Sequence, residues 1–590
     1  MPATPGARPM SSYQIPSAAS SSPVASPLAG DRMARALGLG ALILTMVWLT
    51  AWIWPLVSPL GFNDDAAQTL STAAQWQKGQ GLTTTLLYYD SQLDQKAPAA
   101  QTVWPPALPV LTSVVSDLTG LSLPNALVAV LLISHLVTAV VLGLIVSMAL
   151  QTGKSQSAWP DGIGVTAALF WLTLAPALLG VVRGLSEPLF VAWATLSMLM
   201  LLRAVPAHET PTWQKAAAPQ WPWLMAASAG VAAALLTRYQ AVALIVPLGL
   251  AAALAGAPGT ALAQRMRSFM LVCSFPALVL ALMFWRNWSV TGLLTGGAEP
   301  ASGQSLTEIA ARLSWVPVEW QQLALAGLLA SMLAAGLGAL VVWVRGFNSC
   351  RSAPAKMSRR ARVGMVFCLS GYASNLALMV LLALISTAYA IELRYLLLNM
   401  LMLVLPGVLA LDQLRHHRRV RRLAMPPTAL VTLGCLVLAL QLLAFKPVIE
   451  DRLASTPPVQ LAEVLSTTLI GAGGAQTDRS VLTWLAQQPA PARLLSSNAQ
   501  SLALVLRAYE IPVDTIVGIP LRIYSGRRWN DERIRALARR HAVDTVMAFR
   551  IIPTWVFEDP LDTWLTGHGK DLPWLEPINA TPALFLGKIR

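Results

Sequence analysis

The feature that most constrains this chain is the recurrence of apolar runs long enough to cross a bilayer. A spanning helix needs about 20 mostly apolar residues, because lipid offers no partners to exposed backbone groups. The run Ala36–Val57 meets that length, and others lie near 126–150, 162–182, 188–205, 223–237, 240–257, 268–285, 323–344, 363–390, 395–411 and 427–445. Together they predict about eleven transmembrane helices. Only 12% of the 590 residues are charged and 55% are hydrophobic, which excludes a string of soluble domains. The stretch Trp223–Ala257 is too long for one span and slightly short for two, with Arg238 between its halves, so tilted or half-buried helices are expected there.

Orientation follows from the basic residues. Residues 1–31 are rich in Pro, Ser and Ala and read as a disordered cytoplasmic tail. Arg32 and Arg35 precede the first apolar run and no A-x-A cleavage site follows it, which suits an uncleaved signal anchor. With the N-terminus inside, the inner segments of residues 1–445 carry 19 Lys+Arg and 4 Asp+Glu, the outer ones 7 and 10. That asymmetry is the positive-inside pattern. The net charge of +14 therefore records topology in a bacterial inner membrane, not a nucleic-acid partner. The four cysteines and six histidines form neither a disulfide framework nor a zinc pattern.

Residues 32–445 are thus the transmembrane domain, and 446–590 turn to a soluble composition on the outer side. There, Arg493-Leu-Leu-Ser-Ser, Thr515-Ile-Val and Thr545-Val-Met-Ala-Phe read as strands and Asp531–His541 as a charged helix. The fold class is mainly α and polytopic, with amphipathic helices in the first outer loop and a small C-terminal α/β domain outside the membrane.

The first outer loop, 58–123, holds the most suggestive chemistry. Ala66, Leu70, Ala73 and Ala74 form a helical stripe with Asn63 as its cap and Gly79-x-Gly81 as its stop. Asp64 and Asp65 then sit at a helix N-terminus just after a membrane exit, where backbone N–H groups favour ionised carboxylates. Capping alone explains such residues in an anonymous helix; a general base is the functional alternative. Trp104-Pro105-Pro106 starts a second amphipathic helix. Arg183, Arg238 and Arg394 stand singly at outer helix ends, beside Glu187, Tyr239 and Tyr395. Charge near a bilayer is costly and usually faces a cavity, and guanidinium groups bind phosphate in a bidentate manner. Snorkelling or pairing with Glu187 and Glu392 is the plain alternative for each.

In order and side, these residues resemble the GT-C superfamily of integral-membrane glycosyltransferases, which includes protein mannosyltransferases and aminoarabinose transferases. The resemblance rests on Asn63-Asp64-Asp65-Ala66, Gly79-x-Gly81, Thr102-x-Trp104-Pro105-Pro106, Ser186-Glu187-Pro188-Leu189-Phe190, Thr237-Arg238-Tyr239 and Arg394-Tyr395, and covers residues 36 to about 410. It implies a polyprenyl-phosphate-linked sugar as donor, an envelope acceptor, and Asp64 first or Asp65 second as catalytic base. It implies Arg183, Arg238 and Arg394 on the donor phosphate, with Trp104, Glu187, Tyr239 and Tyr395 lining the pocket. It also allows a divalent cation, Mg or Mn, on Asp64 and Asp65. Here Ala67, Gln68 and Thr69 follow the acidic pair where the family more often has aromatics, and the tail lacks the Trp-Trp-Asp motif of oligosaccharyltransferases. A lipid or sugar transporter, and a non-catalytic envelope assembly protein, are the competing readings.

Overall fold

The computed structural model describes residues 28–150, 162–206, 220–256, 260–294, 296–297, 358–385, 393–416, 456–466, 468–470, 476–488, 491–496, 498–519, 531–549, 573–580 and 584–590. Among the described residues, five helices are long and apolar enough to cross a membrane: Ala36–Leu56, Leu123–Leu150, Glu187–Ala204, Leu262–Thr291 and Arg359–Leu382. A sixth span is broken. The run expected at 162–182 divides at Leu174, whose extended backbone (ψ 105°) caps a second helix with Pro176 in its first turn. Proline costs nothing there, since its missing N–H would have no partner, and the two halves meet at 49°.

In chain order the helices used below are α1 (Leu28–Ile53), α2 (Asp64–Gln77), α3 (Ala107–Thr119), α4 (Leu123–Leu150), α5 (Gly162–Leu172), α6 (Ala175–Val182), α7 (Glu187–Ala204), α8 (Trp221–Leu235), α9 (Ile245–Leu254), α10 (Leu262–Thr291), α11 (Arg359–Ile385), α12 (Leu397–His416), α13 (Pro457–Ser466) and α14 (Ala499–Ala508). The weak pair of spans at 223–257 becomes α8 and a 3-10 turn, Tyr239–Leu244, running into α9. The 15 residues of α8 cover about 22 Å, less than a bilayer core of about 30 Å. Against the eleven spans expected over the whole chain, the described residues thus hold long helices together with shorter apolar ones. The runs at 323–344 and 427–445 lie outside the described residues.

α4 is the hub of the bundle, packed against α5, α7 and the loop helix α3. Trp171 and Phe190 are fully buried around it. Helices α7 and α8 approach closely: Ser197 donates to the Ala227 carbonyl at 2.7 Å, and a side chain on Gly230 would meet Ser197 at 2.9 Å.

The loop after α1 is ordered, and buried amides hold it. Gln68 donates to the Leu86 carbonyl at 3.1 Å and accepts from Gln101 at 3.0 Å, while Gln92 donates to Gln101 at 3.2 Å. Such mutual satisfaction is what allows these polar side chains to be buried.

The C-terminal region forms a six-stranded sheet. Its strands are β1 (Leu86–Leu87), β2 (Ala492–Ser496), β3 (Val513–Gly518), β4 (Thr545–Phe549), β5 (Leu575–Ala580) and β6 (Leu584–Ile589), in the order β1-β3-β2-β4-β6-β5. The strands β1 to β4 run parallel to one another, and β6 is antiparallel to both β4 and β5. β1 comes from the first loop, pairing Leu86 with Ile516 and Leu87 with Val517. The loop and the tail, read from sequence as separate units, thus share one sheet, and α14 packs on α2.

Candidate active site

Two backbone elbows meet to form the site. A 3-10 turn, Pro59–Gly61, turns the chain out of α1 and leads into Asn63, the residue before α2. Asn63 occupies the cap position with extended backbone, but its side chain makes no capping bond. Its backbone N–H instead donates to the Arg183 carbonyl at 2.8 Å, so the cap expected from sequence serves as a bridge to the end of α6. Gly184 permits that approach. Its φ of +71° lies in the left-handed region, and an added Cβ would stand 2.9 Å from the Ala66 Cβ.

The bridge sets the first turn of α2 over a buried charge cluster. Arg394 Nη1 lies 2.5 Å from Asp65 Oδ2, and its Nε lies 3.9 Å from Glu187 Oε1. Arg238 Nη1 lies 2.7 Å from the same Glu187 oxygen and donates to Ser186 Oγ at 3.0 Å. The Tyr395 ring lies between the two cations, 5.2 Å from the Arg238 guanidinium and 5.0 Å from that of Arg394, whose Nη2 also donates to the Tyr395 hydroxyl. Glu187 is 2% exposed, and despite its ion pairs neither carboxylate oxygen receives a hydrogen bond of good direction. Buried ion pairs are weak devices for stability, since desolvation offsets their attraction. A chain of four such groups marks a candidate functional site.

Asp64 stands beside this chain with a different environment. Its Oδ1 accepts a 2.6 Å hydrogen bond from the Ser501 hydroxyl, carried in from the C-terminal region on α14. The carboxyl keeps an opening at the surface while protein atoms crowd its other sides. That loss of water pushes it up to about 6; the Ser501 bond lowers it, Asp65 raises it, and Arg183 and Arg394 lower it. Desolvation thus works against the helix end at Asp64, and the carboxyl is still mostly ionised at neutral pH.

The remaining sequence candidates lie on a seam next to the cluster. Tyr239 donates to the Thr102 carbonyl at 3.3 Å and accepts from Asn287 at 2.8 Å, tying the loop to α10. Trp104 has a buried ring N–H that finds no acceptor, and nearby Ala107 donates its backbone N–H to the Leu236 carbonyl at 2.8 Å. Neither aromatic is hydrogen-bonded to the acidic pair, so the structure does not bring them onto the carboxylates as it does Arg394. Sequence reasoning missed Ser501, Gln240 and Asn375. Gln240 donates to the Tyr395 carbonyl at 2.9 Å and to Asn375 at 2.8 Å, and Asn375 in turn bonds Asn399. These amides fix the backbone that carries Arg394. A polar Asn375 inside an apolar run is a readable signal; Ser501 carries none.

Among the described residues no three His, Cys, Asp or Glu side chains gather to hold a metal. Asp65 has Arg394 as its counter-charge and Asp64 accepts from Ser501, so a divalent cation on the acidic pair would share both carboxylates with these partners.

A bundle of apolar helices, an ordered loop after the first of them, and a sheet-bearing tail that reaches back over that loop make up the fold. The structure is similar to the crystal structure of ArnT from Cupriavidus metallidurans bound to undecaprenyl phosphate, with TM-score 0.53 and 13% identity over 92% of this chain and 97% of that one. The apo form of the same protein gives TM-score 0.54 over the same shares at 13% identity. The archaeal oligosaccharyltransferase AglB from Archaeoglobus fulgidus, in complex with an inhibitory peptide and a dolichol-phosphate, gives 0.43 at 13% identity, covering 87% of this chain and 69% of that one. No protein-family model matches the chain, and no curated protein matches it in sequence.

Proposed function

We propose that the protein is an inverting glycosyltransferase that moves a sugar from a polyprenyl-phosphate donor to an envelope acceptor at the outer face of the bacterial inner membrane. The observation that carries this reading is the position of Asp64: a carboxyl held near pKa 6, within the field of Arg183 and Arg394 and beside the Asp65–Arg394 pair. A general base works best with a pKa close to ambient pH. The shared fold with ArnT, solved with undecaprenyl phosphate bound, supports a lipid-linked donor.

The chemistry needs few groups. Asp64 accepts the proton of an acceptor hydroxyl as that oxygen forms its bond to the anomeric carbon. The bond from that carbon to the phosphate oxygen breaks on the opposite face, and its electron pair leaves with the phosphate. Arg394, with Arg238 or Arg183, stabilises the departing charge in this reading. A phosphate leaves as a stable anion, so no second carboxylic acid is required, in contrast to glycoside hydrolysis. Asp65 orients Arg394, and Glu187 orients Arg238.

The test is transfer from a panel of radiolabelled polyprenyl-phosphate sugars in membranes that contain the protein. Asp64→Asn should abolish labelled product while the protein accumulates normally; full transfer by this variant would overturn the assignment.

A further inference from the structure

At the far end of α2 from Asp64, the first loop and the C-terminal region enclose a cavity of about 320 Å³, within the range for small-ligand sites. Lys78, in its wall, follows the 14 residues of that helix, so the cavity lies about 20 Å from the carboxyl at 1.5 Å per residue. Its two sides are tied together. His541 Nε2–H donates to the Leu93 carbonyl at 3.0 Å, and Arg540 Nη1 lies 2.9 Å from Asp94 Oδ1.

The wall is basic: Lys78, Lys96, Arg493 and Arg540 stand against one carboxylate, Asp514. Asp514 pairs with Arg493 at 2.7 Å, and Asp94 meets Arg540, which leaves the two lysines. Among the described residues neither Lys78 nor Lys96 makes an ion pair or a side-chain hydrogen bond. The carbonyls at the end of α2 favour a cation at Lys78 but give no reason for Lys96. Like charge gathered in a concave wall concentrates anions.

Gln75 adds an independent sign. It lines the same cavity and is only 4% exposed, yet among the described residues its side-chain amide has no hydrogen-bond partner. Buried amides are nearly always satisfied, as Gln68, Gln92 and Gln101 are in the same loop. The Gln75 amide is not sealed off, so the little surface it keeps faces the cavity. An amide both donates and accepts, which suits a sugar hydroxyl.

We infer that this cavity binds a saccharide carrying a phosphate or carboxylate group, with the anion on Lys78 and Lys96 and a sugar hydroxyl on the Gln75 amide. Its distance from Asp64 defines the acceptor it fits. A glycan anchored here by its charge must extend about 20 Å to bring a hydroxyl to the carboxyl, so it is an oligosaccharide and not a single sugar. That acceptor role rests on the proposed function of Asp64; the binding itself does not.

Calorimetric titration of the purified full chain with glucose 6-phosphate, glucuronate, uncharged glucose and inorganic phosphate tests the site. The two sugar anions should bind more tightly than glucose by about tenfold or more, the yield of one charge-assisted hydrogen bond. Both lysines are exposed, so the double variant Lys78→Gln, Lys96→Gln should fold normally and lose that preference. Gln75→Leu should bring glucose 6-phosphate down to the affinity of inorganic phosphate. Arg394→Ala should leave the preference intact. A preference that survives the double lysine variant, or that disappears in Arg394→Ala instead, would overturn the site and send the anion to the arginine cluster. Glucose 6-phosphate and inorganic phosphate bound equally by the parent protein would overturn the saccharide. Equal binding of all four probes by a protein whose transfer needs Asp64 would sink the site alone. Normal transfer by Asp64→Asn with lysine-dependent binding would sink the base alone.

Discussion

The Ser501 hydroxyl donates a 2.6 Å hydrogen bond to Asp64 Oδ1, joining residues 437 positions apart in the chain. The C-terminal region therefore touches the carboxylate on which the proposed chemistry depends. This bond opposes the upward push of burial on Asp64. Its removal should raise the carboxyl above about 6. In Ser501→Ala the acid limb of the pH–rate profile should move to higher pH, with the rate at alkaline pH little changed. Ser501→Thr should restore the original limb. An unmoved limb in Ser501→Ala would show that the bond does not set the protonation of Asp64.

Asp64 also carries a stability consequence. Its carboxyl is raised from 3.8 to about 6, so the fold prefers the protonated form. The stability contributed by that preference is complete below about pH 4 and is lost as pH rises through about 6. Asp64→Asn, which cannot ionise, should therefore melt higher than the parent protein at pH 8, by about 1–2 kcal/mol after allowance for the partly open site, and equally at pH 4. Thermal unfolding in detergent at the two pH values checks the sign.

Gly184 sets the spacing between the elbows. Alanine there meets both a φ of +71° and the Ala66 Cβ at 2.9 Å. Gly184→Ala should cost about 1–3 kcal/mol and displace the Arg183 carbonyl from the Asn63 N–H. A lowered Tm together with reduced transfer is expected; an unchanged Tm would mean that the two elbows can separate freely.

Arg394 reaches two carboxylates, Asp65 at 2.5 Å and Glu187 at 3.9 Å, through different nitrogens of one planar group. Lysine offers a single point charge and cannot reproduce that fork. Arg394→Lys should lose transfer almost as severely as Arg394→Ala, by about 10²–10³-fold, the usual cost of removing a group that stabilises transition-state charge. Steady-state rates at saturating donor check it, and near-normal turnover by the lysine variant would rule out the fork.

Much of this arrangement was legible in the sequence. Apolar length exposed the membrane bundle, because lipid enforces that length. Lone arginines at helix ends exposed the cluster, because isolated charge near a bilayer demands a partner. The strand reading of Thr515 and Thr545 followed from short β-branched runs, and both lie in the parallel part of the sheet. Other features lie beyond local pattern. Leu86–Leu87 is too short to signal a strand, and only its partner β3 makes it one. Ser501 resembles any helix serine until α14 docks on α2. The upward push on Asp64 is hidden for the same reason: the helix end is visible locally, whereas the crowding that raises its pKa comes from remote segments.

The central claim is that Asp64 accepts the acceptor proton during sugar transfer. The most direct measurement is the single-turnover rate of transfer from a labelled polyprenyl-phosphate sugar between pH 4.5 and 8.5, in the parent protein and in Asp64→Asn. The parent rate should rise with pH through about 6 and level off, following ionisation of Asp64, and the asparagine variant should be at least 10²-fold slower with no such limb. A variant that keeps both the parent rate and the limb near pH 6 would contradict the claim.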